Sequence, residues 1–237
     1  MTEPNLDSRG VAAASAQSRD RHGGLREPVN SITHMVGAVL ALVVAVILLF
    51  VVRGTALDYF ALAVFGFSSV LLFTASTLLH AIRTGPVAES WLRRFDHAAI
   101  FVLIAGTYTP ILLMSLRPSA PSLAWWLFGV VWLLALAGVV FKVYWITAPR
   151  WLSTGLYLAM GWLVVLAIVP VARALGLGGM LLLGVGGLLY TVGAVIYGSK
   201  RPDPRPGVFG YHEIWHLFVL AGWATQTVLV FRLALSG

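Results

Sequence analysis

Residues 28–52 read PVNSITHMVGAVLALVVAVILLFVV, a run without one Asp, Glu, Lys or Arg. In hydrocarbon every backbone N–H and C=O has to be satisfied inside its own segment, and about 20 apolar residues in a helix cross the bilayer core. This run therefore reads as a membrane-spanning helix. Six further charge-free gaps follow, at 59–82, 97–116, 118–141, 151–172, 174–199 and 214–231, each at least 18 residues long. The arithmetic predicts seven spans. The first run is too long for the apolar part of a signal peptide and lacks a small-residue cleavage site, so it is expected to be a retained helix.

Composition agrees. Of 237 residues 59% are hydrophobic and only 11% charged, with a mean hydropathy of +0.89, whereas an average soluble domain carries roughly 25% charged residues. A soluble globular fold is excluded. The expected fold is all-α, a polytopic seven-transmembrane helix bundle formed by residues 27–237 as one domain. Residues 1–26 are rich in Ala, Ser, Arg and Gly, and are expected to be a disordered cytoplasmic tail. The chain has no cysteine, which removes disulfides, thiolate metal clusters and cysteine nucleophiles. Histidine and carboxylate must carry any metal.

The net charge of +7 is distributed by loop. The tail, the loops after the second and fourth gaps, and the loop 200–205 hold 12 of the 16 Lys and Arg. Arg53, Arg117, Arg173 and Arg232 alone fall on the other side. By the positive-inside rule the N-terminus is cytoplasmic and the C-terminus outside. The charge is a topology signal, so no nucleic-acid partner is expected. Trp91, Trp125, Trp126, Trp145 and Trp151 lie near span ends, where indole rings favour the interface. Gly179, Gly186 and Gly193 recur every seven residues and predict a close helix contact, while Pro110 and Pro170 predict kinks. The connector 201–207, Arg-Pro-Asp-Pro-Arg-Pro-Gly, excludes a helix before the last span.

Ionisable groups inside a membrane are costly and mark function by default. Here they converge on the cytoplasmic side. Glu27, Asn30 and His34 open span one; Ser76 and His80 close span two; Asp96 and His97 open span three; His212, Glu213 and His216 open span seven. His212 and His216 are four apart, so both imidazoles leave one helix face and can share an ion. His80 at the same depth would be a third ligand, a composition that suits Zn2+ with one position left open. Asp96 is the candidate base and Ser76 a candidate hydrogen-bond donor to a ligand or a reacting carbonyl. Two other spellings compete. His212-Glu213-Ile214-Trp215-His216 has the HExxH form of zinc metalloproteases, with Glu213 as base. Ser76, His80 and Asp96 could also be a nucleophilic triad, which leaves two histidines without a role.

Several motifs in order resemble the hemolysin III family, the bacterial branch of the progestin and adipoQ receptor group that includes adiponectin receptors. They are Glu27-Pro28-Val29-Asn30 with Thr33-His34, Ser76-Thr77-Leu78-Leu79-His80, Phe95-Asp96-His97, Ala105-Gly106-Thr107-Tyr108-Thr109-Pro110, and His212 to His216. The resemblance implies seven helices, a cytoplasmic N-terminus, and zinc on His80, His212 and His216 with Asp96 and Ser76 nearby. It also implies kinship with alkaline ceramidases and a part in membrane-lipid homeostasis, and the family name implies cytolysis.

The leading expectation is thus a metal-dependent hydrolase of lipid amide or ester bonds in the plasma membrane, taking a membrane lipid as substrate or ligand. Asp96 and Ser76 would be catalytic, and His80, His212 and His216 would hold the metal. The alternatives are a non-enzymatic membrane sensor or regulator with structural zinc, in which His34 or His97 adds a fourth ligand; a cytolysin; and an intramembrane HExxH metalloprotease. The roles of His34, His97 and Glu213 are open at this point.

Overall fold

The computed structural model describes residues 25–236, and every extended element among them is helical. The tail expected over 1–26 lies outside these residues except for Leu25 and Arg26. In order the helices are α1 (Pro28–Val51), α2 (Ala56–Ala81), α3 (Pro86–Pro110), α4 (Pro121–Tyr144), α5 (Arg150–Gly161), α6 (Ile168–Ser199) and α7 (Tyr211–Ser236). Proline begins α1, α3 and α4. At that position its missing N–H is one of the helix's unpaired donors anyway. At the start of α2 the Asp58 carboxylate accepts the Thr55 backbone N–H at 2.7 Å and its hydroxyl at 2.8 Å. That contact closes the first turn.

Helices adjacent in sequence pack together, and α7 returns against both α6 and α1, which closes the bundle. Large apolar side chains such as Phe50, Phe67, Leu136 and Leu166 are exposed on the outside, where a soluble protein would carry charge. Because lipid is as apolar as leucine, helix association here rests on close packing and interhelical hydrogen bonds. Gly186 faces the Gln226 amide, Gly193 faces Trp215 and Phe218, and Gly179 packs near Leu229, so the seven-residue glycine seam is the α6–α7 contact. Trp223 donates its indole N–H to Ser69 at 2.9 Å, tying α7 to α2.

Among the described residues six helical stretches are long and apolar enough to cross a membrane; the fifth is a 50-residue stretch, Arg150–Ser199. It is not regular. Trp162–Ala167 tightens to a 3₁₀ helix before Pro170, and Gly176 breaks the helix with φ 63°. Residues with a Cβ rarely adopt that left-handed conformation. The two charge-free gaps read at 151–172 and 174–199 thus fall in one stretch, separated by Arg173, with the glycine break near the start of the second gap. Tyr108 stabilises the 3₁₀ junction: its hydroxyl donates to the Gly161 carbonyl at 2.7 Å and accepts the Val164 N–H at 2.9 Å. Pro110, on the same helix, is followed by a π-helical turn over Ile111–Leu116, closed where the Arg117 N–H donates to Leu112 O at 2.9 Å. The Ala105–Pro110 motif is therefore where two irregular segments are joined.

Candidate metal centre

α1 starts, α2 ends and α7 starts at one end of the bundle, and the polar side chains meet there. His80 sits in the last turn of α2; His212 and His216 occupy the first two turns of α7. One ring nitrogen from each of the three lies within 4.8 Å of the others, and no fourth His, Asp or Glu belongs to the group among the described residues. His80 Nε2 and His212 Nε2 face each other at 3.4 Å. These three histidines could hold a metal ion.

The other nitrogen of His80 explains its orientation. Nδ1 lies 2.7 Å from Glu27 Oε2, an acceptor, so it carries the proton and leaves the Nε2 lone pair for a ligand. A carboxylate behind a ligating histidine is the usual device for setting tautomer and ring angle. Glu27 is held in turn by Asn30 Nδ2 at 3.0 Å and by Arg26 at 3.2 Å. The His80 hydrogen bond, supplemented by Asn30 and Arg26, lowers the Glu27 carboxyl to about 2 against the opposing effect of partial burial. Arg26 also reaches Glu89, which pairs with Arg93, so α3 is joined to the same network. The Glu27 N–H donates to the His80 carbonyl at 2.9 Å, fixing the start of α1 on the end of α2.

Glu213 points elsewhere. Its Oε2 accepts the Gly210 N–H at 2.7 Å, a half capping box on its own helix, and its Oε1 accepts from Asn30 Nδ2 at 2.8 Å. Asn30 therefore donates to two carboxylates and links α1 to α7. His34 is 3% exposed and stacks on His216 with ring centroids 3.8 Å apart and planes at 15°. Neither of its ring nitrogens has a hydrogen-bond partner. It also meets Phe73 edge-on at 5.2 Å.

Asp96 is not at the entrance of its helix. The charge-free reading started span three at residue 97, but α3 begins at Pro86, and Glu89, Arg93 and Arg94 occupy its first turns near the interface. Asp96 is buried, beyond the reach of the helix N-terminus, and its neighbour is neither Arg93 nor Arg94. Instead His97 Nδ1 lies 3.3 Å from Asp96 Oδ2 and 2.9 Å from the Arg93 carbonyl; both are acceptors, so Nδ1 carries the proton. Arg94 is turned away toward Ser90 and the Val143 carbonyl.

A cavity of about 420 Å³ opens beside the histidines. Asp96, Ser76, His34, His212 and His216 form one end of its wall, and its remaining lining is mostly apolar. The Ser76 hydroxyl, 1% exposed as a residue, has no partner in the protein. Ser76, Asp96 and two of the three histidines thus share a cavity, with His80 behind them against Glu27.

Sequence reasoning names Glu27 and Asn30 without assigning them contacts and offers His34 as a fourth ligand, whereas the histidine group among the described residues does not include it; the 53-residue separation of Glu27 from His80 carries no local signal. It passed over Tyr190 and Gln226, which line the far part of the cavity. A glutamine inside an apolar span was the available cue.

The comparisons with known proteins agree with one another. The family described as Haemolysin-III related matches residues 23–227. The chain is similar to the Hemolysin-3 homolog of Bacillus subtilis (strain 168), 42% identical over 202 residues, covering 84% of this chain and 90% of that protein. It is also similar to Hemolysin-3 of Bacillus cereus, 43% identical over 201 residues, covering 84% of this chain and 87% of that protein. With a family match over most of its length and helices built to cross a bilayer, this chain is a multi-pass integral membrane protein belonging to the haemolysin III-related family.

Proposed function

We propose that this protein is a zinc-dependent hydrolase of lipid amide or ester bonds, acting at the cytoplasmic side of the plasma membrane in membrane-lipid homeostasis. The observation that carries the reading is a group of three histidines that could hold a metal, two of which line a mostly apolar cavity, with no fourth His, Asp or Glu in the group among the described residues. Two nitrogens bound to one tetrahedral zinc at 2.0–2.1 Å lie about 3.3–3.4 Å apart. The 3.4 Å between His80 Nε2 and His212 Nε2 fits that spacing, and Glu27 supplies the carboxylate that such a ligand needs.

Zinc bound there would polarise a carbonyl and bring the pKa of a coordinated water to about 7. The chain's own residues do the rest. Asp96, a buried carboxylate held by His97, takes up a proton at Oδ; Ser76, whose hydroxyl is otherwise unpartnered, donates to the carbonyl oxygen of the substrate. The apolar wall accepts acyl chains and excludes bulk water, which strengthens both interactions.

The same reading takes Arg150–Ser199 as two crossings, seven in all. At 1.5 Å per residue its 50 residues would extend about 75 Å, far more than the ~30 Å hydrocarbon core. The non-helical Gly176 is where the chain would reverse in this reading. With the basic loops inside, the N-terminus is cytoplasmic, the C-terminus outside and the histidines lie near the inner leaflet.

Glu213 as a protease base is disfavoured because both its oxygens are engaged by Gly210 and Asn30. The relatives' name raises cytolysis, which release of a dye from vesicles by added purified protein would reveal. The regulator with structural zinc has one observation of its own: a metal on His80 and His212 would bolt α2 to α7.

Elemental analysis of the detergent-purified protein, followed by turnover of lipid amides and esters, tests the proposal. About one zinc per chain is expected, absent in His80→Ala and in His212→Ala/His216→Ala. Asp96→Asn should keep the metal and lose at least about 100-fold in turnover. No metal, or metal with no hydrolysis of any lipid amide or ester, removes the hydrolase and leaves a regulator. Full turnover in Asp96→Asn removes the proton-transfer role.

A further inference from the structure

Ten buried side-chain polar atoms among the described residues lack a hydrogen-bond partner, and six of them belong to residues lining the cavity beside the histidines. Four sit at the metal end, on His34, Ser76 and His216. The other two are the Tyr190 hydroxyl on α6 and Gln226 Oε1 on α7. Gln226 is ten residues beyond His216, which places it about 15 Å further along the helix, in the middle of the apolar layer.

Gln226 is 3% exposed, and its amide orientation is determined. Nε2 donates to the Leu183 carbonyl at 3.2 Å, and the amide lies against Gly186, where a Cβ would collide with it. The oxygen is the end left over. The Tyr190 ring lies against Gly222, one turn before Gln226 on α7, and the Gln226 amide lies against Gly186, one turn before Tyr190 on α6, so both side chains stand within one helical turn of each other on the α6–α7 contact. One is an acceptor only; the other can donate or accept. Leaving such atoms unsatisfied in an apolar interior is costly, so each calls for a partner. The chemical group that satisfies both is a hydroxyl, which donates to Gln226 Oε1 and accepts from the Tyr190 hydroxyl.

The cavity also reaches the outside of the bundle. Trp162, Val165, Ile168 and Gly184 line it and are exposed on the face where acyl chains lie. The 3₁₀ stretch and α6 are bridged there by a hydrogen bond from Trp162 Nε1 to Thr191 Oγ1 at 3.1 Å. A lipid chain has a lateral route to Gln226 without passing the histidines.

We propose that Tyr190 and Gln226 form a hydroxyl-recognising subsite, so that the lipid preferred by this protein carries a hydroxyl along its chain, well away from the group placed at the histidines. The inference rests on the cavity being a lipid site, as in the proposed function, and requires neither metal nor hydrolysis.

The test uses the full-length detergent-purified protein and measures displacement of radiolabelled stearate by stearate and by the positional isomers of hydroxystearate. At least one mid-chain isomer should compete about tenfold better than stearate, the scale of a satisfied buried hydrogen bond. Gln226→Leu and, more gently, Tyr190→Phe should bring that isomer level with stearate while stearate affinity and metal content stay within twofold of the parent. Equal competition by all isomers would mean that the two groups hold only water, and overturns the subsite. So does a preference that survives both substitutions. Failure of every chain to bind overturns the subsite together with the lipid reading, whereas hydroxyl preference in a protein that hydrolyses nothing keeps the subsite and discards the hydrolase.

Discussion

Glu27→Gln isolates the carboxylate behind the candidate metal centre with almost no change of shape. In the parent protein Glu27 Oε2 accepts from His80 Nδ1 at 2.7 Å and from Asn30 Nδ2 at 3.0 Å. A glutamine that keeps its carbonyl toward His80 preserves the tautomer but loses the charge-assisted part of the bond. One that presents its amide instead forces the proton onto His80 Nε2, the atom facing His212. Hydrogen bonds to charged groups contribute about 1.5–3 kcal/mol. The Glu27 side chain keeps 35% of its accessible surface, and solvent screening selects the lower end of that range. About 1.5 kcal/mol is about tenfold in zinc affinity, which falls within the 10–100-fold typical when a ligand's carboxylate partner is removed. The assay is competition with a chromophoric zinc chelator in detergent, at helical content matched by circular dichroism. Zinc affinity within twofold of the parent at equal helicity would refute the reasoning, since the carboxylate would then only position α1.

Two further outcomes follow from the fold. Tyr108→Phe strips the Gly161 carbonyl and the Val164 N–H of their shared partner, and should destabilise the protein by about 1–2 kcal/mol, read as a lower melting temperature in detergent; an unchanged melting temperature would mean that water replaces the hydroxyl. Because the chain lacks cysteine, Gly176→Cys introduces a single thiol at the break in Arg150–Ser199, and a membrane-impermeant maleimide added to intact cells should label it. Labelling only after the membrane is opened would reverse the proposed orientation or remove the extra crossing.

The membrane helices were legible because their signal is local and additive. A charge-free run such as 28–52 carries its hydrophobicity whatever its neighbours do, and α1, with much of its surface exposed to lipid, depends on them least. The His212/His216 pair was legible for a related reason: i, i+4 spacing puts two side chains on one helix face before any tertiary contact exists. Span edges were less so. Charge-free gaps clipped α3 by eleven residues, since Glu89, Arg93 and Arg94 are accommodated in its first turns at the interface. The glycine seam 179–186–193 announced a contact but not its partner, which the packing of α6 on Trp215, Phe218 and Gln226 supplies.

By itself the sequence determined that this is a helical membrane protein, which residue types are available for chemistry, and that they cluster toward one end. Only the tertiary structure decided their working relations. Glu27 stands behind His80 across 53 residues, Glu213 is spent on Gly210 and Asn30, and Asp96 is paired with His97 well inside α3. Tyr190 and Gln226 share a cavity wall with the histidines because α6 and α7 pack along their glycines. Hydrophobicity and helical period are properties of a segment, whereas a hydrogen-bond partner or a cavity is a property of two or more segments brought together, and no single stretch of chain encodes it.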